Sequence, residues 1–439
     1  MTDLAGAASG RLAEQRRAAL VLLVLGGVGF AVVGLLWVPW HWLPDGRALA
    51  QVSPGEVFSA KQIERATSYS SAQRHLWVPA YVVSLVIAGL LGFTRLGARV
   101  VELLPGWWWV RLVLGSFVLL LVGEVLTLPF SLLERRNSLA AGLTHQSLAG
   151  WLQDDLLSLL VTTLYTAIAA VLLIGLAWRL PRSWPVWAGA LSGLLVVLGS
   201  FVYPVLVEPL FNSFAPLPAG PLRTSIMHLA KVENVHLDDV LVADASRRTT
   251  TLNAYVTGFG STRRVVLYDN LLKDLSQPEV DAVVAHELGH AKDDDVLLGT
   301  VLGAFGAAFG VGLLALVLSR PGLLRRAGAS GPGDPRVLAL LMALTAAATL
   351  LAAPVENAAS RAVEARADRT SLLATRDPAD FEQMQKQLAS TSLQEPVPPG
   401  WEQLWFGTHP TTLQRIGMAR AMSAQLDAPR VGRDLGAAR

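Results

Sequence analysis

The chain has 439 residues, of which 52% are hydrophobic and 16% charged, with a formal net charge of +2 and no cysteine. Soluble chains carry about 25% charged residues, so this composition predicts a polytopic membrane protein. The small net charge argues against a nucleic-acid partner. The lack of cysteine excludes disulfides, thiolate metal sites and cysteine nucleophiles, so any metal must be held by His, Asp and Glu.

Seven apolar stretches are long enough to cross a hydrocarbon core, which needs about 20 residues of helix. They begin at Ala19, Leu76, Trp107, Leu156, Trp184, Val296 and Val337. The first stretch is too long for the core of a signal peptide and is interpreted as a retained anchor. Basic residues flank the stretches on both sides, so charge does not determine the orientation. An odd number of spans predicts that the two termini face opposite sides.

The composition changes between the fifth and sixth stretches, where a small α+β unit is predicted. A helix is expected from Pro221, followed by three strands within DVLVADAS, LNAYVTGF and RRVVLYDN. GFGST, from Gly258, is the expected hairpin connection. We therefore expect a three-stranded meander beside a helix.

The segment SQPEVDAVVAHELGHAKDDD then predicts a second helix of this unit. Ser276 and Glu279 have the spacing of a capping box, so the motif H-E-L-G-H lies well inside the helix. His286 and His290 are four residues apart and therefore share one face, where two imidazoles can bind one metal ion. Glu287 is rotated off that face, within reach of a metal-bound water. The alternative interpretation is a pair of ordinary helix histidines.

A polar stripe after the seventh stretch supplies a candidate third ligand. Its members Asn357, Arg361, Glu364 and Asp368 are spaced by four, three and four residues, which places them on one helix face. Such a stripe is often just the solvated face of a surface helix. Catalytic zinc usually takes three protein ligands, however, and this helix leaves the membrane on the side of the polar unit. Glu364 is the predicted third ligand, and Asp368 is placed to orient an imidazole.

Together these segments resemble the type I CAAX prenyl proteases, integral-membrane HExxH zinc endopeptidases with seven spans. The resemblance covers nearly the whole chain. It is carried by the order of the segments YPVLVEPLFNSFAPLPAGPL, NAYVTGFGSTRRVVLYDNLL, HELGH, NAASRAVEARAD and HPTTLQR. It implies a mainly α membrane protein in which about seven transmembrane helices enclose a chamber, with a small α+β zinc-metalloprotease domain.

The expected organisation has five parts. These are a membrane region with five spans (1–210), a metalloprotease insert (211–295), spans six and seven (296–356), a C-terminal helical region (357–428) and a disordered tail (429–439).

The resemblance also implies roles for individual residues. One zinc ion per chain is expected on His286, His290 and Glu364, with Glu287 as the general base. His409 would help to hold the oxyanion, while Asn357, Arg361 and Asp368 would support the site. Arg415 is interpreted as a structural or supporting charge. The strand residues Asn253, Ala254 and Tyr255 would bind a peptide substrate along an edge strand.

The expected substrate is a membrane-associated peptide or protein, prenylated or membrane-embedded. The use of Ala, Arg, Val and Trp is typical of a GC-rich bacterial genome, and the resemblance implies a multi-pass protein of the cell membrane whose site faces the cytoplasm. Two alternatives stay open: a quality-control protease without prenyl specificity, and a polytopic carrier with a structural zinc site. The segment after the third span and the C-terminal tail depart from the family pattern.

Overall fold

A computed structural model describes residues 2–43, 47–258 and 260–427 of the chain. The predicted tail at 429–439 lies outside the described residues. The helices of the first part are α1 (Thr2–Trp37), α2 (Pro54–Val57), α3 (Ala60–Phe93), α4 (Arg95–Leu103), α5 (Trp108–Ala141), α6 (Leu148–Arg179) and α7 (Trp184–Val202). Those of the second part are α8 (Pro221–Val232), α9 (Leu271–Asp274), α10 (Gln277–Lys292), α11 (Asp295–Leu318), α12 (Pro321–Arg326), α13 (Leu338–Thr375), α14 (Pro378–Thr391), α15 (Gly400–Trp405) and α16 (Thr412–Asp427).

Seven of the helical segments are long and apolar enough to cross a membrane, as predicted. They are Leu12–Trp37, Ala60–Phe93, Trp108–Ala141, Leu148–Arg179, Trp184–Leu210, Asp295–Leu318 and Pro335–Thr375. Large apolar side chains along these helices stay exposed, such as Leu25 and Leu36 on α1. Exposed aliphatic surface of this extent is stable in lipid rather than in water. The chain is an integral membrane protein with a mainly helical fold.

The seventh span continues without a break into the polar stripe, because α13 is 38 residues long and contains both. The predicted boundary between residues 356 and 357 therefore lies inside one helix. The helix includes Pro354 and then runs through residues rich in Ala, Arg and Glu, which favour helix. One rigid element thus leads from the membrane to Glu364 and Asp368.

The sheet has four strands, β1 (Phe214–Pro216), β2 (Asp239–Ala243), β3 (Ala254–Thr257) and β4 (Arg264–Tyr268), in the order β1-β2-β4-β3. The prediction of a three-stranded meander is wrong. β2 and β4 are parallel neighbours, and β3 pairs with β4 as an antiparallel strand at the edge of the sheet that the described residues form. Val265, Val266 and Leu267 of β4 are almost fully buried, which requires the central position. The hairpin predicted at Gly258 does join β3 to β4, and Gly258 has the positive φ that such a turn favours.

One apolar core joins the sheet to the helices that carry the candidate site. Its buried members include Val280, Val284 and Leu288 of α10 and Ala365 and Leu372 of α13. Residues from α8, α14, α16 and the sheet complete this core. Helix α10 is thereby held between the sheet and α13, with β3 beside it.

Candidate metal centre and catalytic cleft

The local sequence of α10 fixes the positions of its two histidines. Ser276 and Glu279 form the predicted capping box, with the Ser276 N–H donating to Glu279 Oε2 at 2.7 Å. Helix α10 lies very close to α13, since a Cβ atom at Gly289 would be 3.1 Å from Thr370 Cβ. The Ser371 hydroxyl also donates to the carbonyl of Ala282 at 2.7 Å. These contacts hold the H-E-L-G-H segment directly against α13.

Three side chains converge where the two helices meet. The Nε2 atoms of His286 and His290 are 3.2 Å apart, and Glu364 approaches them with Oε2 3.2 Å from His286 Nε2 and Oε1 3.6 Å from His290 Nε2. One ligand atom from each residue lies within 4.8 Å of the others. The structure therefore brings together the three residues predicted to hold a metal.

The chemistry of this cluster suits a divalent cation. Two imidazole nitrogens and one carboxylate oxygen are a donor set that zinc takes in catalytic sites. Glu364 Oε2 is buried between two imidazoles, 3.2 Å from both His286 Nε2 and His409 Nε2, so nitrogen and oxygen ligand atoms already lie together at one point. Burial disfavours a charged His286, but hydrogen bonds to Asp368 and Glu364 outweigh this and raise the pKa of His286 to about 10. The site thus favours positive charge.

Glu287 lies beside the cluster and is not part of it. Its side chain lines a cleft of about 330 Å³ together with Tyr255, His290 and Glu364. Burial raises the pKa of the Glu287 carboxyl above its ordinary value. A carboxylate that is poorly solvated and adjoins a metal site is suited to accept a proton from water.

A carboxylate backed by an arginine orients His286. Asp368 is fully buried, and its Oδ1 lies 2.9 Å from His286 Nδ1. Arg415, from α16, donates to both oxygens of Asp368, with its Nε 2.8 Å from Oδ2. This arrangement directs His286 Nε2 towards His290 and Glu364.

His290 is oriented in the same way by a residue that the sequence analysis did not identify. Asp295, the first residue of α11, places Oδ2 2.9 Å from His290 Nδ1. Arg366 of α13 donates to the other oxygen of Asp295 and lies 3.0 Å from Asp293. The chain turns at Asp294, which has a φ of 52°, so helical periodicity from His290 gives no sign of this contact. The three consecutive aspartates shortly after H-E-L-G-H were the sequence feature that could have indicated a carboxylate partner for His290.

His409 reaches the cluster from the loop before α16. Its Nε2 lies 3.2 Å from Glu364 Oε2, and its ring is half-exposed. Thr408 Oγ1 is 2.8 Å from His409 Nδ1, and Gln403 donates to the His409 carbonyl at 2.7 Å. The ring is thus positioned beside the three cluster residues and remains partly accessible to solvent.

The side chains of Asn357 and Arg361 form hydrogen bonds with the segment before His409 instead of with the three cluster residues. Asn357 donates to the Trp405 carbonyl at 2.6 Å, and Arg361 donates to the carbonyls of Gln403 and Gly407 at 2.8 and 2.6 Å. Both side chains therefore hold the segment that leads into His409. Their support of the site is indirect.

The predicted substrate-binding residues lie at the free edge of the sheet, beside the cleft. Ala254 is buried in the core, whereas Tyr255 lines the cleft. The Tyr255 hydroxyl is buried and has no hydrogen-bond partner among the described residues. Asn253 precedes β3 and extends its ladder, since the Tyr268 N–H donates to the Asn253 carbonyl at 3.0 Å.

A seven-span chain with two imidazoles, a carboxylate and a neighbouring glutamate at its cleft has the architecture of a membrane metallohydrolase. Comparison with known proteins agrees. Residues 216–423 match the model of peptidase family M48, and residues 50–213 match the model described as CAAX prenyl protease N-terminal, five membrane helices. The chain belongs to this CAAX-prenyl-protease-like branch of the M48 family and is a membrane metalloprotease.

Individual relatives support this assignment over different lengths. An uncharacterized metalloprotease of Bacillus subtilis, YhfN, is 26% identical over 89% of this chain and 94% of its own length. CAAX prenyl protease 1 of Saccharomyces cerevisiae is 40% identical, but over 23% of this chain and 22% of its own length. The crystal structure of Ste24p from S. mikatae superposes with a TM-score of 0.73 at 19% identity, covering 92% of this chain and 99% of that chain. This last likeness establishes the fold.

Proposed function

We propose that this protein is a zinc-dependent endopeptidase that cleaves peptide bonds of membrane-associated substrates, with Glu287 as the general base. The observation that supports this most directly is the convergence of His286, His290 and Glu364 beside a cleft that His290, Glu364 and Glu287 line. We infer one zinc ion per chain on these three ligands. Three protein ligands leave a position for water or substrate, as catalytic zinc requires.

The residues of the site have separable tasks in this mechanism. Zinc in such a site supplies Lewis acidity to the peptide carbonyl and to the attacking water. Glu287 accepts the proton of the water and delivers it to the departing amine. His409 Nε2–H, in the tautomer in which Thr408 donates to Nδ1, donates to the carbonyl oxygen as it gains charge. Asp368 and Asp295 keep the two imidazoles in place.

The edge strand β3 and the surrounding helices favour an extended substrate presented from the membrane. A peptide added beside Asn253, Ala254 and Tyr255 gains backbone hydrogen bonds from the unpaired edge. An apolar groove of about 530 Å³ between α1, α7 and α11 shares Val296 and Leu297 with the catalytic cleft. An apolar segment or lipid group next to the scissile bond fits this groove. Since relatives bear the name CAAX prenyl protease, a prenylated peptide is the first substrate class to test.

The full-length Bacillus relative supports a bacterial cell membrane as the location, and we infer that the site faces the cytoplasm.

A quality-control protease that needs no prenyl group would use the same site. A carrier with a structural zinc site is less compatible with the structure, because structural zinc has four protein ligands and the cluster found within the described residues has three.

The proposal is tested with a farnesylated C-terminal peptide and its unprenylated twin. Detergent-purified wild type and Glu287→Gln are incubated with each peptide, and the products are identified by mass spectrometry. The metal content of both proteins is measured in parallel. We expect cleavage by the wild type, a loss of about 10²-fold or more in Glu287→Gln, and equal zinc content.

The possible results separate the alternatives. Preference for the farnesylated peptide supports the prenyl-protease function, whereas equal cleavage of the twin supports the quality-control function. Zinc-loaded wild type that cleaves neither peptide, nor unfolded membrane proteins, would overturn the proposal. Unchanged activity of Glu287→Gln would exclude Glu287 as the base.

A further inference from the structure

An exposed apolar patch lies on the segment between α14 and the loop that carries His409. This segment, residues 395–406, contains α15 and is called the aromatic segment below. Four of its side chains are large, apolar and between 39% and 62% exposed: Val397, Trp401, Leu404 and Phe406. A cluster of exposed apolar side chains indicates a surface that a protein or a lipid covers. The proposed mechanism does not use these side chains.

Contacts with two spans set the depth of the aromatic segment. The ring of Phe406 lies 4.9 Å from that of Trp77 and 5.8 Å from that of Tyr81, and Trp77 is the second residue of the apolar stretch of α3. Trp405 Nε1 donates at 3.2 Å to the carbonyl of Leu350, near the end of the apolar part of α13. The segment therefore lies where the apolar parts of both spans meet the side of the metal site. Trp and Tyr are enriched at this level of a membrane protein.

The aromatic segment has an engaged polar side and an open apolar side. Arg74 of α3 forms ion pairs with Glu395 and Glu402, and each of the three side chains is at most 26% exposed. Trp401 and Leu404 are three residues apart, so they share one face of α15 and leave Glu402 on another. A short helix divided in this way is suited to lie along the boundary between lipid and water.

The open side adjoins exposed apolar surface of the seventh span. Leu351 and Val355 are one turn apart on α13 and are 77% and 53% exposed. The exposed Thr349 lies nearly opposite Leu351 around the helix, so apolar and polar exposed residues occupy different faces. Asn357, one turn after this apolar stripe, donates to the Trp405 carbonyl at 2.6 Å. The apolar patch of the aromatic segment is thus continuous with surface that suits lipid.

The aromatic segment also holds the loop that carries His409. The Gln403 side chain donates to the His409 carbonyl at 2.7 Å. Arg361 donates to the carbonyls of both Gln403 and Gly407, so one guanidinium joins α15 to the loop. Only two residues separate Phe406 from His409. A displacement of α15 would therefore move the imidazole.

We propose that the aromatic segment lies in the headgroup region of the bilayer, with Trp401 and Leu404 inserted into lipid, and that this contact positions His409. The bilayer then supports the catalytic site from outside, through a helix whose other side is bound to Arg74 and Arg361. The depth of the segment is independent of the proposed function. Its effect on catalysis rests on that function, because it takes His409 as the donor to the carbonyl oxygen.

The depth is measured with a fluorescent label in liposomes. Because the chain has no cysteine, Leu404→Cys supplies a single attachment site for the environment-sensitive dye NBD. Nitroxide groups on the lipid acyl chains, just below the headgroups, should quench this label as they quench one at Leu25→Cys, a 63% exposed position of α1. The label at Lys273→Cys, 65% exposed beside the sheet, should instead be quenched by iodide in the water. A label at Leu404→Cys that behaves like the one at Lys273→Cys would overturn the inference, since the patch would then face water or another protein.

The coupling to His409 is tested with Leu404→Gln and a short water-soluble peptide. We expect kcat to fall about 10-fold, less than the roughly 10²-fold or more for complete loss of an oxyanion donor, with KM and zinc content little changed. In a protein that also carries His409→Ala, Leu404→Gln should have no further effect, because both changes remove the same contribution. An equal fall in both backgrounds would indicate a general structural role and overturn the coupling, as would an unchanged kcat in Leu404→Gln.

Leu103→Gln is the matched control, because Leu103 is 84% exposed at the end of α4 and receives the same substitution away from His409. Its kcat should equal that of the wild type, and an equal fall in this variant would contradict a specific role of the aromatic segment. Failure of the zinc-loaded wild type to cleave any peptide would overturn the proposed function and the coupling together. The quenching experiment would still decide whether the segment lies in lipid.

Discussion

Each histidine of the cluster is oriented by an aspartate that is itself held by an arginine. His286 contacts Asp368, which Arg415 holds, and His290 contacts Asp295. The two aspartates come from different helices, α13 and α11. A hydrogen-bonded carboxylate fixes the ring orientation and increases its basicity as a ligand. Both imidazoles therefore depend on residues outside the H-E-L-G-H motif.

Asp295→Asn is expected to weaken metal binding about 10- to 100-fold, the usual effect of removing a partner of a metal-bound histidine. The amide keeps the shape but loses the charge that Arg366 and His290 share. The affinity is measured by competition with a chromophoric chelator on detergent-purified protein.

Asp294→Asn is the control for this prediction. It removes the neighbouring charge, and Asn tolerates the left-handed backbone at this position. The Asp294 carboxylate pairs with Arg263 at 2.6 Å instead of with a histidine. The metal affinity of the Asp294→Asn variant should therefore stay near that of the wild type. Equal weakening in both variants would mean that local charge, and not the contact with His290, is responsible.

At the scale of elements, the sequence predicted the helices better than the sheet. The length of the apolar stretches identifies the seven spans, and the capping box with its helical spacing identifies the H-E-L-G-H helix. Both can be recognised from the sequence because each signal lies within one short segment. The order of the strands depends on which strand is buried on both faces. In β4 that property is shown by Val265 and Val266, whose side chains point to opposite faces and are both buried in the assembled core, and it is not visible in a short segment. The contact of Asp295 with His290 likewise depends on a chain reversal at Asp294.

The close approach of α10 to α13 predicts an effect at Gly289. A Cβ atom there would lie 3.1 Å from Thr370 Cβ and 3.3 Å from Ala367 Cα, so Gly289→Ala requires the facing part of α13 to shift by a few tenths of an ångström. We expect a loss of about 1–3 kcal/mol in stability, as for other overpacked sites, and weaker metal binding. Thermal unfolding in detergent and chelator competition measure the two effects.

Gly299→Ala in α11 is the matched control, because nothing lies within 4 Å of the added methyl group. Alanine is a better helix former than glycine, so this variant should be as stable as the wild type or more so. If Gly289→Ala had the same stability and metal affinity as Gly299→Ala, the result would show that α10 and α13 accommodate the added methyl group.

The free edge of β3 gives a second prediction at this scale. The Val256 N–H faces away from β4, so Val256→Pro removes a donor to the substrate without breaking the sheet, as edge strands permit. We expect kcat/KM for peptides to fall about 10-fold, the value of one hydrogen bond at the upper end of the usual range, with little change in unfolding temperature. Tyr255→Pro removes an N–H that faces β4 and should instead lower the unfolding temperature. If Val256→Pro left kcat/KM unchanged, peptide addition at this edge would be excluded.

At the scale of the whole molecule, the site is assembled from segments on one side of the membrane. The sheet and α10 lie between the fifth and sixth spans, and Glu364 and His409 follow the apolar part of the seventh. The connection between spans six and seven, which contains α12, must then lie on the opposite side. This arrangement separates the water-using chemistry from the lipid-exposed helices while keeping the cleft next to the apolar groove.

The absence of cysteine from the whole chain makes this topology directly measurable. Lys273→Cys introduces a thiol on the side of the metal site, at a side chain that is 65% exposed. Gly322→Cys introduces one in α12, at an exposed position where an added Cβ lies 4.0 Å from the end of the Arg325 side chain. In intact bacterial cells a membrane-impermeant maleimide should label Gly322→Cys, whereas Lys273→Cys should react only after the cells are opened, because the proposed site faces the cytoplasm. Labelling of Lys273→Cys alone in intact cells would reverse the orientation. Labelling of both variants in intact cells would contradict a passage of α11 across the membrane. It would also contradict the arrangement that puts Glu364 and H-E-L-G-H on the same side of the membrane.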